Sequence, residues 1–153
     1  KGKLIGYNTD SYGFKKSLKP LLKKHHKKAL ILGTGGASKA IQFVLKSLNI
    51  EFTYVSRSIE NQDFLNYDQL DESVMNSHQI IINCTPLGTS PMVDECPDIP
   101  YEYLSPSHLL YDLVYNPPQS TFLKKGLERG ATVQNGLLML EYQAEKAWRI
   151  WNR

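Results

Sequence analysis

The sequence predicts a three-layer α/β domain, a parallel, doubly wound sheet with helices on both faces. Three observations predict it. Short apolar runs alternate with amphipathic stretches along the chain. The run Ala29-Leu-Ile-Leu stops at a glycine-rich turn and passes straight into a helical pattern. The chain has 153 residues, 41% of them hydrophobic, which suits one core and one domain. Parallel strands need helical crossovers, and those crossovers cover both faces of the sheet.

The elements follow in order. Residues 1–24 read as a lead-in, with a helix over 10–18 that Pro20 ends or kinks. A strand over 29–32 leads into a helix over 36–48, a turn at Asn49 and a second strand over 51–55. A variable stretch carries a short helix around 67–75, and the apolar run over 79–83 is the third strand. Residues 85–106 form a loop bearing Pro and Gly. The remainder reads as a strand over 109–114, a helix over 119–129, a short strand over 132–134 and a closing helix within 136–153. No internal repeat or low-complexity tract interrupts the alternation. The expected fold is Rossmann-type.

Composition narrows the function classes. The net charge of +3 is modest but uneven, with Lys15, Lys16, Lys19, Lys23, Lys24, Lys27 and Lys28 crowded ahead of the first core strand. Without interleaved aromatics or a helix-turn-helix pattern, this run reads as a solvated face, and no nucleic-acid partner is expected. No apolar run is long enough to span a membrane, and no segment has the layout of a signal peptide. Cys84 and Cys96 lack metal or redox spacing and read as reduced thiols of a cytoplasmic protein. The four histidines show no paired-ligand spacing, so no metal is expected.

The chemistry centres on Gly33-Thr-Gly35-Gly36-Ala37-Ser38. Gly33 lets the chain turn sharply off the strand, and Gly35 lets backbone approach a pyrophosphate. The helix opening at Gly36-Ala37 supplies free N–H groups and a positive dipole end. Glycines also collect in turns for geometry alone, but here a strand precedes and a helix follows, the context a dinucleotide site needs. An NAD-binding unit tends to place a carboxylate at the end of its second strand. Here that position holds Ser56-Arg57-Ser58, with no carboxylate until Glu60. A guanidinium and two hydroxyls suit a 2′-phosphate, so the expected cofactor is NADP. The alternative is that Arg57 is an ordinary solvated loop residue. Downstream, Asn83-Cys84-Thr85-Pro86-Leu87-Gly88 would run beside the cofactor, and Val114-Tyr115-Asn116-Pro117 would bring a phenol near the nicotinamide half.

Taken together with Gly6-Tyr7-Asn8-Thr9-Asp10 at the start and Gly136-Leu-Leu-Met139-Leu140-Glu-Tyr-Gln143-Ala144 near the end, these motifs resemble the shikimate dehydrogenase family. The resemblance covers nearly the whole chain. It implies the NADP-binding domain of a two-domain oxidoreductase that interconverts 3-dehydroshikimate and shikimate in aromatic amino-acid biosynthesis. The family's substrate domain, with its catalytic lysine, would precede the Asn-Thr-Asp motif and is absent from these 153 residues. The isolated chain is therefore expected to be inactive.

By the same resemblance, Asp10 matches the acidic partner of that lysine and contacts substrate hydroxyls. Gln143 matches a glutamine bonded to a substrate hydroxyl, Tyr115 a tyrosine beside nicotinamide and substrate, and Gly136 a backbone position facing the nicotinamide. A Lys/Asp pair makes chemical sense, because hydride arriving at a ketone leaves an alkoxide that needs a proton donor. From the residues alone, the alternative for Asp10 is a simple helix cap. Asn61 stands where the family carries a further basic residue, which lowers the expected phosphate affinity. Two alternatives stay open: a relative acting on quinate with NAD, and a non-catalytic NADP-binding module.

Overall fold

A computed structural model describes residues 8–58 and 61–153. The Gly6-Tyr7 half of the opening motif and Glu60 lie outside the described residues. Among the described residues, helices and strands follow one another in the expected order. They are α1 (Thr9–Leu18), β1 (Lys28–Leu32), α2 (Gly36–Ser47), β2 (Glu51–Val55), α3 (Glu72–Ser77), β3 (Ile80–Asn83), β4 (Leu109–Asp112), α4 (Thr121–Glu128), β5 (Thr132–Gln134) and α5 (Leu137–Trp151).

The five strands form one sheet in the order β2-β1-β3-β4-β5. Every neighbouring pair is parallel, with Ala29 opposite both Phe52 and Ile80, and Asn83 opposite Asp112. From β1 the chain winds outward first to β2 and then, on the other side, to β3. The order therefore reverses between β1 and β3, where open α/β sheets leave a crevice at the strands' carboxyl ends.

Both sheet faces are buried. On one face, Ala29, Ile31, Ile80, Ile82 and Tyr111 pack against Phe14 and Leu18 of α1, Ile41, Val44 and Leu45 of α2 and Met139 of α5. On the other, Leu30, Leu32, Ile81 and Leu110 meet Met75 of α3 and Phe122 and Leu123 of α4. Successive strand side chains point to opposite faces, and with both faces covered β1 is apolar and buried at four successive positions, Ala29 to Leu32. The Tyr111 ring meets Phe14 edge-on at 4.9 Å between centroids, and its hydroxyl bonds the Ser17 hydroxyl at 2.5 Å. That buried contact pins α1 to the sheet, and burial raises the Tyr111 phenol to about 12.

Boundaries moved where side chains capture backbone. The single helix expected around 67–75 is a 3-10 turn (Tyr67–Gln69) followed by α3, because Asn66 and Asp71 each cap a fresh start. The fourth strand ends at Asp112, whose carboxylate accepts the Val114 N–H at 3.0 Å and turns the chain. Pro20 acts as expected. Helix α1 stops at Leu18, and a 3-10 turn (Lys19–Leu21) carries the proline in its first turn.

Candidate functional site

A cleft of about 720 Å³ lies at the carboxyl ends of β1, β2 and β3, at the reversal of strand order. That volume is in the range of small-molecule and cofactor sites. Gly33, Gly35, Ser56, Arg57, Ser58 and Thr85 all line it. Gly33 takes φ +93, and a Cβ there would lie 3.1 Å from Thr85 Cγ2 and 3.3 Å from the Cys84 carbonyl. A glycine is therefore needed at Gly33 both for conformation and for the approach of the β3 loop. Its N–H is bound to the Val55 carbonyl at 2.9 Å, which ties the turn to the end of β2 and so to Arg57.

Gly35 and Gly36 differ in kind. No described atom lies within 4 Å of a Cβ built on either, and Gly35 has φ −66, open to any residue. Nothing described in the protein demands glycine there. A bare backbone facing open space is what a ligand in close approach requires. Helix ends point the same way. Side chains cap α1 (Asn8), α3 (Asp71) and α4 (Ser120), whereas among the described residues no side chain caps α2 at Gly35 or α5 at Gly136, and of these two starts only that of α2 adjoins the cleft. In that first turn the Ser38 N–H donates to the Gly35 carbonyl at 3.0 Å, which leaves the Gly36 and Ala37 N–H groups and the dipole end beside the cleft. Gly36 and Ala37 form that exposed first turn, just beyond the cleft lining.

The loops beyond β3 and β4 are fixed by a buried carboxylate that the sequence reading missed. Asp112 is 0% exposed; its carboxylate accepts from Asn83 Nδ2 at 3.1 Å, from the Val114 N–H at 3.0 Å and from the Ser120 hydroxyl at 2.5 Å. Asn83 Oδ1 in turn accepts from the Thr85 N–H at 3.0 Å and its hydroxyl at 2.6 Å. Burial raises the Asp112 carboxyl, and the three hydrogen bonds oppose that shift. One network thus sets the places of Thr85 and of the chain leading to Tyr115. The Cys84 thiol beside it is pushed up to about 12, by burial first and by Asp112 second, so it stays protonated.

Asp10 and Gln143, 133 residues apart, are hydrogen-bonded: Gln143 Nε2 donates to Asp10 Oδ1 at 2.5 Å. Asn8, not Asp10, caps α1, accepting the Ser11 N–H at 3.1 Å. The pairing depends on Gly13, which the sequence reading also missed. A Cβ on Gly13 would collide with the Met139 carbonyl oxygen and lie 2.8 Å from Gln143 Cγ. The signal was visible, since an isolated glycine inside a helical pattern usually marks close packing. Gly136 is a second such contact. Its Cβ would collide with the Leu113 carbonyl oxygen, and its N–H donates to the Val114 carbonyl at 3.1 Å.

The structure does not bring every candidate into one pocket. Tyr115 stands 48% exposed after β4, outside the lining of the cleft, and Gly136 is buried at the entry to α5. Gln143 sits seven residues along α5 from Gly136, about 10 Å at the rise of a helix. Three further lining residues were not singled out in the sequence: Met92 and Cys96 lie in the stretch read as loop, and Tyr67 opens the short helix expected over 67–75. Among the described residues, no group of His, Cys, Asp or Glu is placed to hold a metal ion, and no helix is long and apolar enough to cross a membrane.

No family model matches the chain. Curated relatives do. Shikimate dehydrogenase (NADP(+)) of Methanococcus maripaludis strain S2 is 39% identical over 168 residues, covering 98% of this chain and 59% of its own. The same enzyme of Desulforamulus reducens is 35% identical over 169 residues, covering 98% and 58%. Over nearly its whole length, the chain is similar to shikimate dehydrogenases. A solved structure of the family from Thermus thermophilus, in complex with NADP(H) and shikimate, matches with a TM-score of 0.78 at 29% identity, covering 95% of this chain and 57% of that one. The chain thus spans a little over half the length of its relatives, with the family's Rossmann-like α/β fold.

Proposed function

We propose that this chain is the NADP-binding half of a shikimate dehydrogenase, and that the complete protein reduces 3-dehydroshikimate reversibly to shikimate. The observation that carries the cofactor reading is the pair Gly35 and Gly36, bare backbone with no described neighbour around it, at the uncapped start of α2. The cleft's donors suit a dinucleotide. The α2 amides would take the pyrophosphate, while Ser56, Arg57 and Ser58 would take the ribose 2′-phosphate. Thr85, held by Asn83, would line the path between them and the nicotinamide half, where Gly136 and Tyr115 belong. The cofactor supplies hydride transfer when bound.

Asp10 and Gln143 are the proposed substrate ligands. Each orients the other, so their polar atoms are fixed before substrate arrives, and Asp10 would work with a lysine outside these 153 residues in proton transfer at the substrate oxygen. A pure cofactor-binding module has no use for such a pair. Two free thiols agree with a reducing compartment such as the cytoplasm.

The test is titration of the chain with both nucleotides. NADP+ is expected to bind more tightly than NAD+, and Arg57→Ala to cut that difference by about tenfold to a hundredfold, the worth of one charge-assisted phosphate contact. Equal affinities in the unsubstituted chain would overturn the reading. The chain alone is expected to give no NADPH formation from shikimate, and joining it to a substrate domain is expected to restore turnover.

A further inference from the structure

The chain after β3 lines the cleft with charge of the wrong sign for a phosphate. This segment is fastened along its length. The Gly88 and Glu95 N–H groups both donate to the Met92 carbonyl, at 3.0 and 3.2 Å, and the Tyr101 hydroxyl holds the Pro97 carbonyl at 2.7 Å. Glu95 and Asp98, both exposed, project from it into the cleft lining. Among the described lining residues they are the only carboxylates, and Arg57 is the only cation. The space is roughly 9 Å across, the cube root of its volume of about 720 Å³, comparable to the Debye length of about 8 Å at physiological ionic strength. Tyr67 reports the same field. Burial raises its phenol most, Arg57 pulls it down and Asp98 pushes it up, so both charges reach one hydroxyl in the cleft wall.

We propose that Glu95 and Asp98 are specificity-determining residues, whose carboxylates hold the preference for a phosphorylated over an unphosphorylated adenosine ribose below what Arg57 alone would give. The inference rests on the cleft being a dinucleotide site. The pyrophosphate is common to both nucleotides, so its repulsion by these carboxylates cancels from the ratio of affinities. Only the added 2′-phosphate, with a charge near −2, feels them differentially.

The experiment measures the dissociation constants of NADP+ and NAD+ for the unsubstituted chain, Glu95→Gln, Asp98→Asn, the double variant and Arg57→Ala, at about 20 mM and 500 mM salt. Each neutralisation is expected to raise the ratio of NADP+ to NAD+ affinity about threefold, NAD+ gaining only what the shared pyrophosphate gives both nucleotides, and the double variant about tenfold at low salt. The gain should shrink at high salt, where charges farther apart than about 4 Å are screened. Parallel changes for the two nucleotides, weaker NADP+ binding, or a gain that ignores salt would overturn the proposal, since each means direct contact rather than field. If Arg57→Ala also leaves the ratio unchanged, the dinucleotide reading itself falls. If Arg57→Ala moves the ratio and the carboxylate variants do not, only this inference falls.

Discussion

The cleft at the ends of β1–β3 and the α1/α5 helix pair both depend on glycine, for opposite reasons. In the cleft, Gly35 and Gly36 have no described atom within 4 Å of a built Cβ, and α2 is left uncapped. In the helix pair, Gly13 has the Met139 carbonyl oxygen where a Cβ would need to be, and Gly136, at the start of α5, has that of Leu113 in the chain after β4. The first region keeps donors unsatisfied and faces space. The second is closed on itself, and its polar side chains, Asp10 and Gln143, already hold each other. A glycine in open space points outward to a ligand, whereas a glycine in contact points inward to packing.

Substitution breaks the comparison most sharply at Gly136. Alanine there would drive a methyl into the Leu113 carbonyl, so Gly136→Ala is expected to cost about 3 kcal/mol or more and to show as a large fall in melting temperature. Next comes Asp10→Ala in the complete protein. It is expected to lower the rate about a hundredfold by removing a partner in proton transfer, while Gln143→Ala mainly raises KM, by about 1–2 kcal/mol, the worth of one hydrogen bond. Steady-state kinetics with shikimate separate the two.

A smaller effect tests the opposite end of the sheet, where His26, His78 and His108 precede β1, β3 and β4. Burial pulls His26, His78 and His108 below their ordinary value of 6.5. Nδ1 of His108 accepts the Ser105 N–H at 3.1 Å and Nε2 meets the Met75 carbonyl at 2.8 Å, a geometry for the neutral ring. With folded values depressed, the unfolded chain takes up protons first as pH falls. Stability is therefore complete above about pH 7 and declines as pH drops through about 6.5, by an expected few degrees of melting temperature. A flat melting profile between about pH 7.5 and 5 would contradict the assignment of neutral rings.

The smallest effect on stability sharpens the contrast. Gly35→Ala and Gly36→Ala place a methyl in open space near a helix start, so they are expected to leave stability unchanged or raise it by up to about 1 kcal/mol. Nucleotide affinity should nevertheless fall, because the methyl would stand in the place proposed for the pyrophosphate. Thermal melts and NADP+ titration on the same samples check both halves.

Much of this was legible in the residues. The apolar β1 run, the glycine turn and the helix after it are local features, set by periodicity over neighbouring residues, and they fix a strand–turn–helix wherever they occur. Ser56-Arg57-Ser58 was readable for the same reason, since its distance from Gly33 along the chain is set by one helix and one strand. The resemblance in the Asn-Thr-Asp opening and the Gln143 motif marked both ends of the chain. Tertiary structure alone decided the rest. Asp10 and Gln143 meet only because Gly13 lets two helices touch. Asp112 became the junction of two loops only once β3 and β4 paired side by side and brought Asn83 opposite it. Glu95 and Asp98 entered the cleft only through the fastening of a segment that reads as plain loop. Periodicity is a property of neighbours in sequence, whereas a shared hydrogen bond or a shared field is a property of neighbours in space, and nothing in the spacing of Glu95 from Arg57 announced that they would line one cleft.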